Sequence, residues 1–164
     1  MVSERHSDCI LLGSLDSLIR VYALPSDITD PGHISEPQQI IQEHYDNVCG
    51  LRFRRCIAAQ QDDDDLVISA SWDGTARSFR RDIKGKWHLK HLLKGHESAV
   101  WGVEIIDAGS GREKYLTSSA DLFVRLFEGE QCKVVWAGRQ DVARDVRLLP
   151  GVREQLSDRF ASSS

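Results

Sequence analysis

An internal repeat constrains this chain more than any other feature. When the sequence is aligned on Asp16, Asp73 and Asp121, a serine stands two residues before each aspartate. In every copy an arginine follows the aspartate by four residues and an aromatic residue follows it by six. Apolar residues precede the serine each time. Self-similarity of this kind is typical of a chain built from repeated supersecondary units.

Each copy of the repeat predicts a strand, a tight turn and a second strand. The apolar stretch before the serine and the apolar and aromatic positions after the aspartate suit two strands. Asp73-Gly74 is a strong signal for a two-residue hairpin turn. The corresponding pairs Asp16-Ser17 and Asp121-Leu122 are weaker signals alone, and the shared register supports them. We therefore predict a hairpin at all three aspartates.

A second element precedes the hairpins. His44, His96 and Arg139 each start a segment with apolar residues at offsets of four, seven and nine. These apolar residues are Val48, Leu51 and Phe53, then Val100, Val103 and Ile105, then Ala143, Val146 and Leu148. The gap of three interrupts the alternation of a regular strand, so we predict a β-bulge near the start of each such strand.

Composition excludes several functions. The chain has 164 residues, a formal net charge of −4 and no concentrated basic region, which argues against nucleic-acid binding. No apolar run approaches the ~18 residues of a membrane span. Four scattered cysteines without a C-x-x-C pair favour reduced thiols in a cytosolic or nuclear protein. A zinc site from His44, Cys49 and Cys56 is the alternative, although its spacing fits no common ligand pattern.

Two insertions separate parts of the repeat. Residues 23–38 contain three prolines and a glycine, and residues 54–65 include the acidic run Asp62 to Asp65. That run could be a calcium ligand cluster, but it lacks the alternating ligand spacing and the glycine turn of an EF-hand loop. We favour a solvated acidic loop.

The repeat resembles the WD-repeat unit of β-propellers, because Gly95-His96 precedes the bulged strand and S-x-D with a later aromatic follows. The resemblance implies an all-β protein of four-stranded antiparallel blades. In that family a histidine, a strand serine or threonine, the turn aspartate and a tryptophan form a hydrogen-bonded tetrad. Phe79, Phe127 and Tyr22 stand at the tryptophan position here. The residues that match the rest of the tetrad are Ser14, Asp16, His44, Ser71, Asp73, His96, Ser119 and Asp121.

Longer motifs narrow the resemblance. "SWD-x-T-A" before an aromatic, "AVW-x-V" after the glycine-histidine and the short link "FEGEQCKVVWAG" are similar to blades of the phospholipase A-2-activating protein family, which includes the fungal ubiquitin-fusion-degradation adaptor. This resemblance implies a non-catalytic adaptor whose propeller binds ubiquitin. Independently of the resemblance, the residues show no nucleotide, metal or cofactor motif, so no cofactor is expected. Family members dock a hexameric AAA segregase ATPase through later domains that these 164 residues do not contain. The implied location is cytoplasmic and nuclear.

The length predicts an open arc rather than a closed ring. Seven blades of ~42 residues need roughly 300 residues, and the sequence has 164. We expect a partial propeller over 8–164, with adjacent blades missing from this chain and apolar blade faces exposed. Its expected parts are the second half of a blade with a loop (8–41), a full blade (42–94), a second full blade (95–137) and the start of another (138–164).

A rim for partner docking is expected where the loops before the bulged strands meet the S-x-D turns. Its candidate residues are Tyr45, Asp46, Trp72, Glu97, Asp141 and Arg144. Trp72 either anchors a partner or packs against the next blade.

Catalysis is not expected, although serine, histidine and aspartate recur together. No G-x-S-x-G elbow is present, and repetition of the set in successive blades favours an architectural role. Two alternatives to the ubiquitin adaptor stay open: a WD-repeat scaffold of an unrelated complex, and a truncated product without independent function.

Overall fold

The computed structural model describes residues 9–24, 36–54, 65–107, 113–137 and 144–147. These residues form eleven β-strands and no helix, which confirms the all-β prediction. The first sheet has the order β1-β2-β3 and is antiparallel. Its strands are β1 (Cys9–Gly13), β2 (Ile19–Ala23) and β3 (Gln39–Ile41).

Two four-stranded antiparallel sheets follow, in agreement with the predicted fold class of four-stranded antiparallel blades. The second sheet consists of β4 (Val48–Arg54), β5 (Leu66–Ser71), β6 (Ala76–Arg81) and β7 (Trp87–Leu93). The third sheet consists of β8 (Val100–Asp107), β9 (Lys114–Ser119), β10 (Phe123–Glu128) and β11 (Gln131–Ala137). The three sheets form an open arc. Of the expected further blade start at 138–164, the structure describes 144–147 alone.

The three hairpin turns at the repeated aspartates are confirmed. The residue after each aspartate has a positive φ: 69° at Ser17, 81° at Gly74 and 70° at Leu122. The aspartate side chain accepts a hydrogen bond from the backbone N–H two residues on, at 2.9 Å for Asp73 and 3.0 Å for Asp121. A short acceptor that bonds its own turn explains why aspartate stands at this position.

The predicted bulges are also present in both full sheets. The pairing of β4 with β5 shifts register between Val48 and Gly50, and that of β8 with β9 shifts between Val100 and Gly102. The extra residue at each bulge is Cys49 or Trp101. A bulge re-aims the side chain of its extra residue, so these two positions leave the regular in-and-out alternation of the strand.

Apolar side chains fill the spaces between consecutive sheets. We call the face of a sheet that points to the next sheet along the chain its forward face, and the opposite one its rear face. The forward face of the first sheet and the rear face of the second enclose one core, which includes Ile19, Val21, Phe79 and Trp87. The second and third sheets enclose another in the same way, with Leu66, Ile68, Val103, Ile105, Tyr115 and Phe127.

Polar contacts also join neighbouring sheets. The Gln39 side chain donates from Nε2 to the Trp87 carbonyl oxygen at 2.7 Å and accepts from the Trp87 N–H at 2.9 Å. Buried Glu113, just before β9, contacts Arg80 and Lys90 of the second sheet. Both sets of contacts fix one sheet against the next.

Two glycines permit the close approach of a segment that follows later in the chain. A Cβ atom at Gly50 would lie 3.2 Å from the carbonyl oxygen of Trp101, and one at Gly102 would lie 2.8 Å from the Cα atom of Asp145. Residues 144–147 therefore pass over the third sheet at Gly102. This position is equivalent to Gly50, where β8 passes over the second sheet. No helix within the described ranges is long and apolar enough to span a bilayer.

Candidate docking rim

A buried histidine holds the turn of the second sheet. His44 Nδ1 lies 2.8 Å from Asp73 Oδ2, and its Nε2 lies 2.7 Å from Ser69 Oγ. The Ser69 hydroxyl is also 3.2 Å from the Arg77 carbonyl oxygen. Loop, strand and turn are thus connected by one side chain that enters the sheet from its edge.

The third sheet repeats this arrangement. His96 Nδ1 lies 2.9 Å from Asp121 Oδ2, and its Nε2 lies 2.7 Å from Thr117 Oγ1. Arg125 donates to Asp121 Oδ2 at 2.7 Å and also contacts the His96 ring. The network in this sheet therefore includes the arginine of the repeat.

The structure corrects the serines assigned to these networks. Ser71 does not contact His44; its hydroxyl donates to the Asp46 carbonyl oxygen at 3.0 Å and accepts from the Asp73 N–H at 3.1 Å. Ser119 does the same with the Ser98 carbonyl and the Asp121 N–H. Ser71 and Ser119 lie at the turn, whereas the histidine ring reaches a hydroxyl two residues earlier on the same strand face.

The hydroxyl residues that contact the histidines could have been found from a pattern in the sequence. Ser69 and Thr117 both stand four residues before the turn aspartate. The corresponding residue in the first sheet is Leu12. The first sheet therefore has no hydroxyl at the position that meets the histidine in the other two.

The turn aspartate of the first sheet has a different partner. Asp16 Oδ2 lies 2.5 Å from Arg20 Nη2, and the pair is partly exposed. The hydrogen bond from Arg20 lowers the pKa of Asp16 to about 2. Ser14 binds the second sheet through its backbone, since its carbonyl oxygen accepts from the Val48 N–H at 3.0 Å.

Both histidine-linked aspartates are held ionised. Burial raises the pKa of Asp73, but hydrogen bonds from His44, Thr75 and the Tyr45 backbone outweigh it and leave the pKa well below its usual range. Asp121 behaves likewise: burial is opposed by stronger hydrogen bonding, chiefly from Arg125 and His96. Burial lowers the pKa of His96, which favours the neutral ring at neutral pH.

The networks position loop residues of the predicted rim. Tyr45 donates its backbone N–H to Asp73 at 3.1 Å and leaves its ring exposed beneath the Arg77 guanidinium, 5.5 Å from the ring centre. Asp46 is exposed and its carbonyl meets Ser71. The Trp72 N–H donates to the Asn47 carbonyl oxygen at 3.0 Å. Tyr45, Asp46 and Trp72 therefore lie together at the turn end of the second sheet.

Two of the other rim candidates, Glu97 and Arg144, lie further along the arc. The Glu97 N–H donates to Asp121 at 3.1 Å, and its side chain is exposed at the turn end of the third sheet. Arg144 is exposed and precedes Asp145, which crosses Gly102. Asp141 lies outside the described residues.

A tryptophan pair bridges the second and third sheets at this end. The rings of Trp72 and Trp101 are 5.1 Å apart at an angle of 62°, an edge-to-face arrangement. Trp72 nevertheless stays 41% exposed. It thus packs against the neighbouring sheet and also faces solvent. Trp101 was missed as a rim candidate, and its position at the bulge within "AVW" was the available signal.

Metal chemistry finds no support among the described residues, since no three His, Cys, Asp or Glu side chains there are grouped to hold an ion. Cys56 of the zinc alternative and Asp62 to Asp64 of the acidic run lie outside them. The repeated histidine–aspartate contacts bind loop to turn in two sheets. Because the same contact recurs in two sheets, we interpret it as a structural contact of the fold.

These sheets and histidine–aspartate contacts define an arc of a WD-repeat β-propeller. Residues 35–80 match the family model described as WD domain, G-beta repeat. Among solved structures, the chain is similar to the WD40 beta propeller domain of Doa1, with a TM-score of 0.61 and 28% sequence identity. That likeness covers 83% of this chain and 39% of the Doa1 chain.

Similarity to curated proteins is local. A 40-residue stretch is 50% identical to a probable cytosolic iron-sulfur protein assembly protein 1 of Neurospora crassa, covering 24% of this chain and 8% of that protein. The corresponding protein of Pyricularia oryzae is 36% identical over 69 residues, covering 41% and 16%. A ribosome biogenesis protein WDR12 homolog of Trichoplax adhaerens is 38% identical over 65 residues, covering 40% and 14%. The chain thus spans a small part of these relatives.

Proposed function

We propose that this chain is a non-catalytic docking module that binds ubiquitin in ubiquitin-dependent protein degradation. The observation that carries the proposal is Trp72, which is half-exposed on Trp101 at the turn end of two sheets. Its backbone is fixed by Asn47 and the adjacent Asp73 network. A rigid, partly exposed aromatic side chain is the kind of residue that dominates a protein interface.

Two further findings support ubiquitin as the partner. The blade motifs resemble the phospholipase A-2-activating protein family, whose propeller binds ubiquitin, and the structure is similar to the Doa1 propeller domain. In the proposed role the chain contributes part of a propeller, and a hexameric AAA segregase acts through other domains. Cytoplasmic action agrees with the cytosolic proteins among its relatives, and nuclear action is an extension of the family resemblance.

The test is a titration of isotope-labelled ubiquitin with the 164-residue chain, followed by NMR. We expect a contiguous set of ubiquitin amide signals to shift as the chain approaches about 1 mM, which corresponds to about −4 kcal/mol of binding free energy. Trp72→Ala should weaken binding about tenfold, because loss of an aromatic anchor costs about 1–2 kcal/mol or more.

Ile83→Ala is the matched control. Ile83 is a highly exposed apolar residue in the β6–β7 turn, at the opposite end of β6 from Trp72. This variant should bind as the parent chain does. The proposal would be contradicted if both variants lost the same amount of ubiquitin affinity, or if the parent chain shifted no ubiquitin signals.

A WD-repeat scaffold of another complex is the second candidate, and the local matches to assembly and biogenesis proteins favour it. Under that function ubiquitin does not bind, while Trp72 still anchors a partner. Affinity capture of partners with the parent chain and with Trp72→Ala would separate the two candidates when combined with the titration.

A further inference from the structure

We propose that the rim binds a basic side chain of a partner protein, arginine or lysine, at the Trp72–Trp101 pair. Two exposed acids, Asp46 and Glu97, flank the bound cation. The proposed site rests on the docking role of Trp72 and adds the chemistry that the partner presents to it. It does not depend on ubiquitin as the partner, so the two proposals can be tested separately.

The tryptophan pair presents ring carbon to solvent. Burial raises the pKa of the Cys49 thiol, and hydrogen bonds oppose the rise, one of them from the Trp72 side chain. The Trp72 indole N–H therefore points to Cys49, while the side chain stays 41% exposed. The indole nitrogen of Trp101 is buried. The exposed remainder is aromatic surface, and the negative face of an aromatic ring attracts cations.

Other aromatic rings at the turn ends already have an arginine beside them. Arg77 lies 5.5 Å from the centre of the Tyr45 ring, and Arg125 lies 5.2 Å from that of Phe123. Among the described residues, no arginine or lysine lies over either ring of the tryptophan pair. Tryptophan attracts cations more strongly than tyrosine or phenylalanine. The strongest cation acceptor at this end therefore lacks a cation.

Asp46 lies next to the pair on the side of the second sheet. Its carbonyl oxygen accepts from the Ser71 hydroxyl at 3.0 Å, and the following residue, Asn47, accepts from the Trp72 N–H at 3.0 Å. The Asp46 carboxylate accepts from the Asn47 N–H at 2.7 Å and remains exposed. A carboxylate has about four acceptor positions, so this one can still bind a cation.

Glu97 approaches the pair from the third sheet. The carbonyl oxygens of His96 and Ser98 lie 3.5 and 3.6 Å from where a Cβ atom on Gly74 would stand. The loop that contains Glu97 therefore packs against the turn that bears Trp72. The Glu97 side chain is exposed. An acid from each of two sheets thus lies near the exposed indole surface.

Neither flanking acid is neutralised by the chain. Within the described ranges, Asp46 and Glu97 form no ion pair, whereas the turn aspartates Asp73 and Asp121 each contact a histidine. Negative charge around a binding surface raises the local concentration of cations and repels anions. Aromatic surface and charge therefore select the same ligand, a basic side chain.

Short blocked peptides test the proposal with the full 164-residue chain. One peptide has a central arginine between glycines, a second has lysine there, and a third has citrulline, a neutral isostere of arginine. NMR of the isotope-labelled chain follows its indole N–H signals. We expect the two cationic peptides to shift the signals of Trp72 and Trp101 but not that of Trp87, which is 2% exposed. The citrulline peptide should bind at least about fivefold more weakly because it lacks the charge.

Substitutions in the chain separate the ring from the acids. Trp72→Leu should weaken binding of the arginine peptide about fivefold, and Trp72→Phe should weaken it less, because phenylalanine keeps an aromatic ring. Glu97→Gln and Asp46→Asn should each weaken it about twofold, and salt should remove that difference. Glu128→Gln is the matched control, at the opposite end of β10 from the turn, and should bind as the parent does. Circular dichroism verifies that each variant keeps its strands.

The outcomes distinguish this site from the proposed ubiquitin binding. Binding that requires both the peptide charge and Trp72 supports the site, and it does so even if ubiquitin shifts no signals, in which case only the ubiquitin proposal fails. Equal binding of the arginine and citrulline peptides overturns the site, as does unchanged binding by Trp72→Leu. Absence of any shift with peptide on the order of tens of millimolar also overturns it. Ubiquitin binding that persists under those results would then rest on apolar contact alone.

Discussion

His44 Nδ1 lies 2.8 Å from Asp73 Oδ2, and both side chains are almost fully removed from solvent. His96 and Asp121 repeat the contact at 2.9 Å. Asp16, the third member of the repeat, instead pairs with Arg20 in a partly exposed position. One sequence position therefore has two physical environments, buried in two sheets and accessible in the other.

This difference predicts unequal costs of removing the aspartate. Asp121→Ala leaves His96 and Arg125 without their carboxylate partner, and loss of one member of a buried pair costs about 3 kcal/mol. Asp16→Ala should cost much less because solvent screens its pair with Arg20. Urea unfolding of both variants measures the difference. Equal midpoint shifts would show that the histidine contact adds nothing.

Acid should destabilise the chain in two steps. Burial lowers the pKa of His91 and His96 in the folded chain. As the pH falls below about 6.5, these histidines are therefore protonated in the unfolded chain before they are protonated in the folded one, and the free energy of unfolding decreases. For each histidine, the free energy of unfolding decreases by at most about 1.4 kcal/mol per pH unit. The pKa values of Asp73 and Asp121 are also lowered, so the stability they provide is present above the ordinary carboxyl range and is lost below about pH 4.

Unfolding free energies at pH 7.5, 5.5 and 3.5 verify this order. His91→Gln should flatten the change between pH 7.5 and 5.5 while the loss below pH 4 persists. A variant that keeps the full decrease between pH 7.5 and 5.5 would assign it to other groups.

Turn geometry predicts opposite effects at two equivalent positions. Gly74 has a φ of 81° and Leu122 has a φ of 70°, a region that costs side chains with a Cβ roughly 1 kcal/mol. Gly74→Ala should therefore destabilise the chain by about 1 kcal/mol, although the added Cβ would meet its nearest atom only at 3.5 Å. Leu122→Gly should stabilise it by about 0.5 kcal/mol. Thermal unfolding compares the two, and the same sign for both would refute the explanation from φ.

A substitution of Gln39 tests how strongly the outer strands of the first two sheets are held together. Its amide makes two hydrogen bonds to the Trp87 backbone across the first two sheets. Gln39→Ala should cost about 1–2 kcal/mol because the buried Trp87 N–H and carbonyl lose their partners. Gln131→Ala, at an exposed position that starts β11, is the matched control. The prediction is tested by chemical denaturation, where Gln131→Ala should unfold with the parent midpoint.

Local features of this fold were readable from the sequence. The hairpins followed from aspartate at fixed register, since a turn and its flanking strands are decided by neighbouring residues. The bulges followed from the three-residue gap between Val48 and Leu51, because a regular strand cannot keep both on one face.

Contacts between distant residues were not readable in the same way. Ser69 and Ser71 both lie on the rear face of β5, so alternation alone does not say which one His44 reaches. That choice depends on how the incoming loop crosses the sheet edge. The bond of Gln39 to Trp87 spans 48 residues and depends on the angle between two sheets. No local pattern encodes that angle.

The tryptophan pair of the rim has a spectroscopic consequence. Trp72 belongs to a turn of the second sheet and Trp101 to a strand of the third, and their rings are 5.1 Å apart. Indole transitions at this separation couple, and the sign and strength of the resulting circular dichroism depend on the relative orientation of the two rings. The circular dichroism of this tryptophan pair therefore reports the angle between adjacent blades, and the measurement needs no attached label.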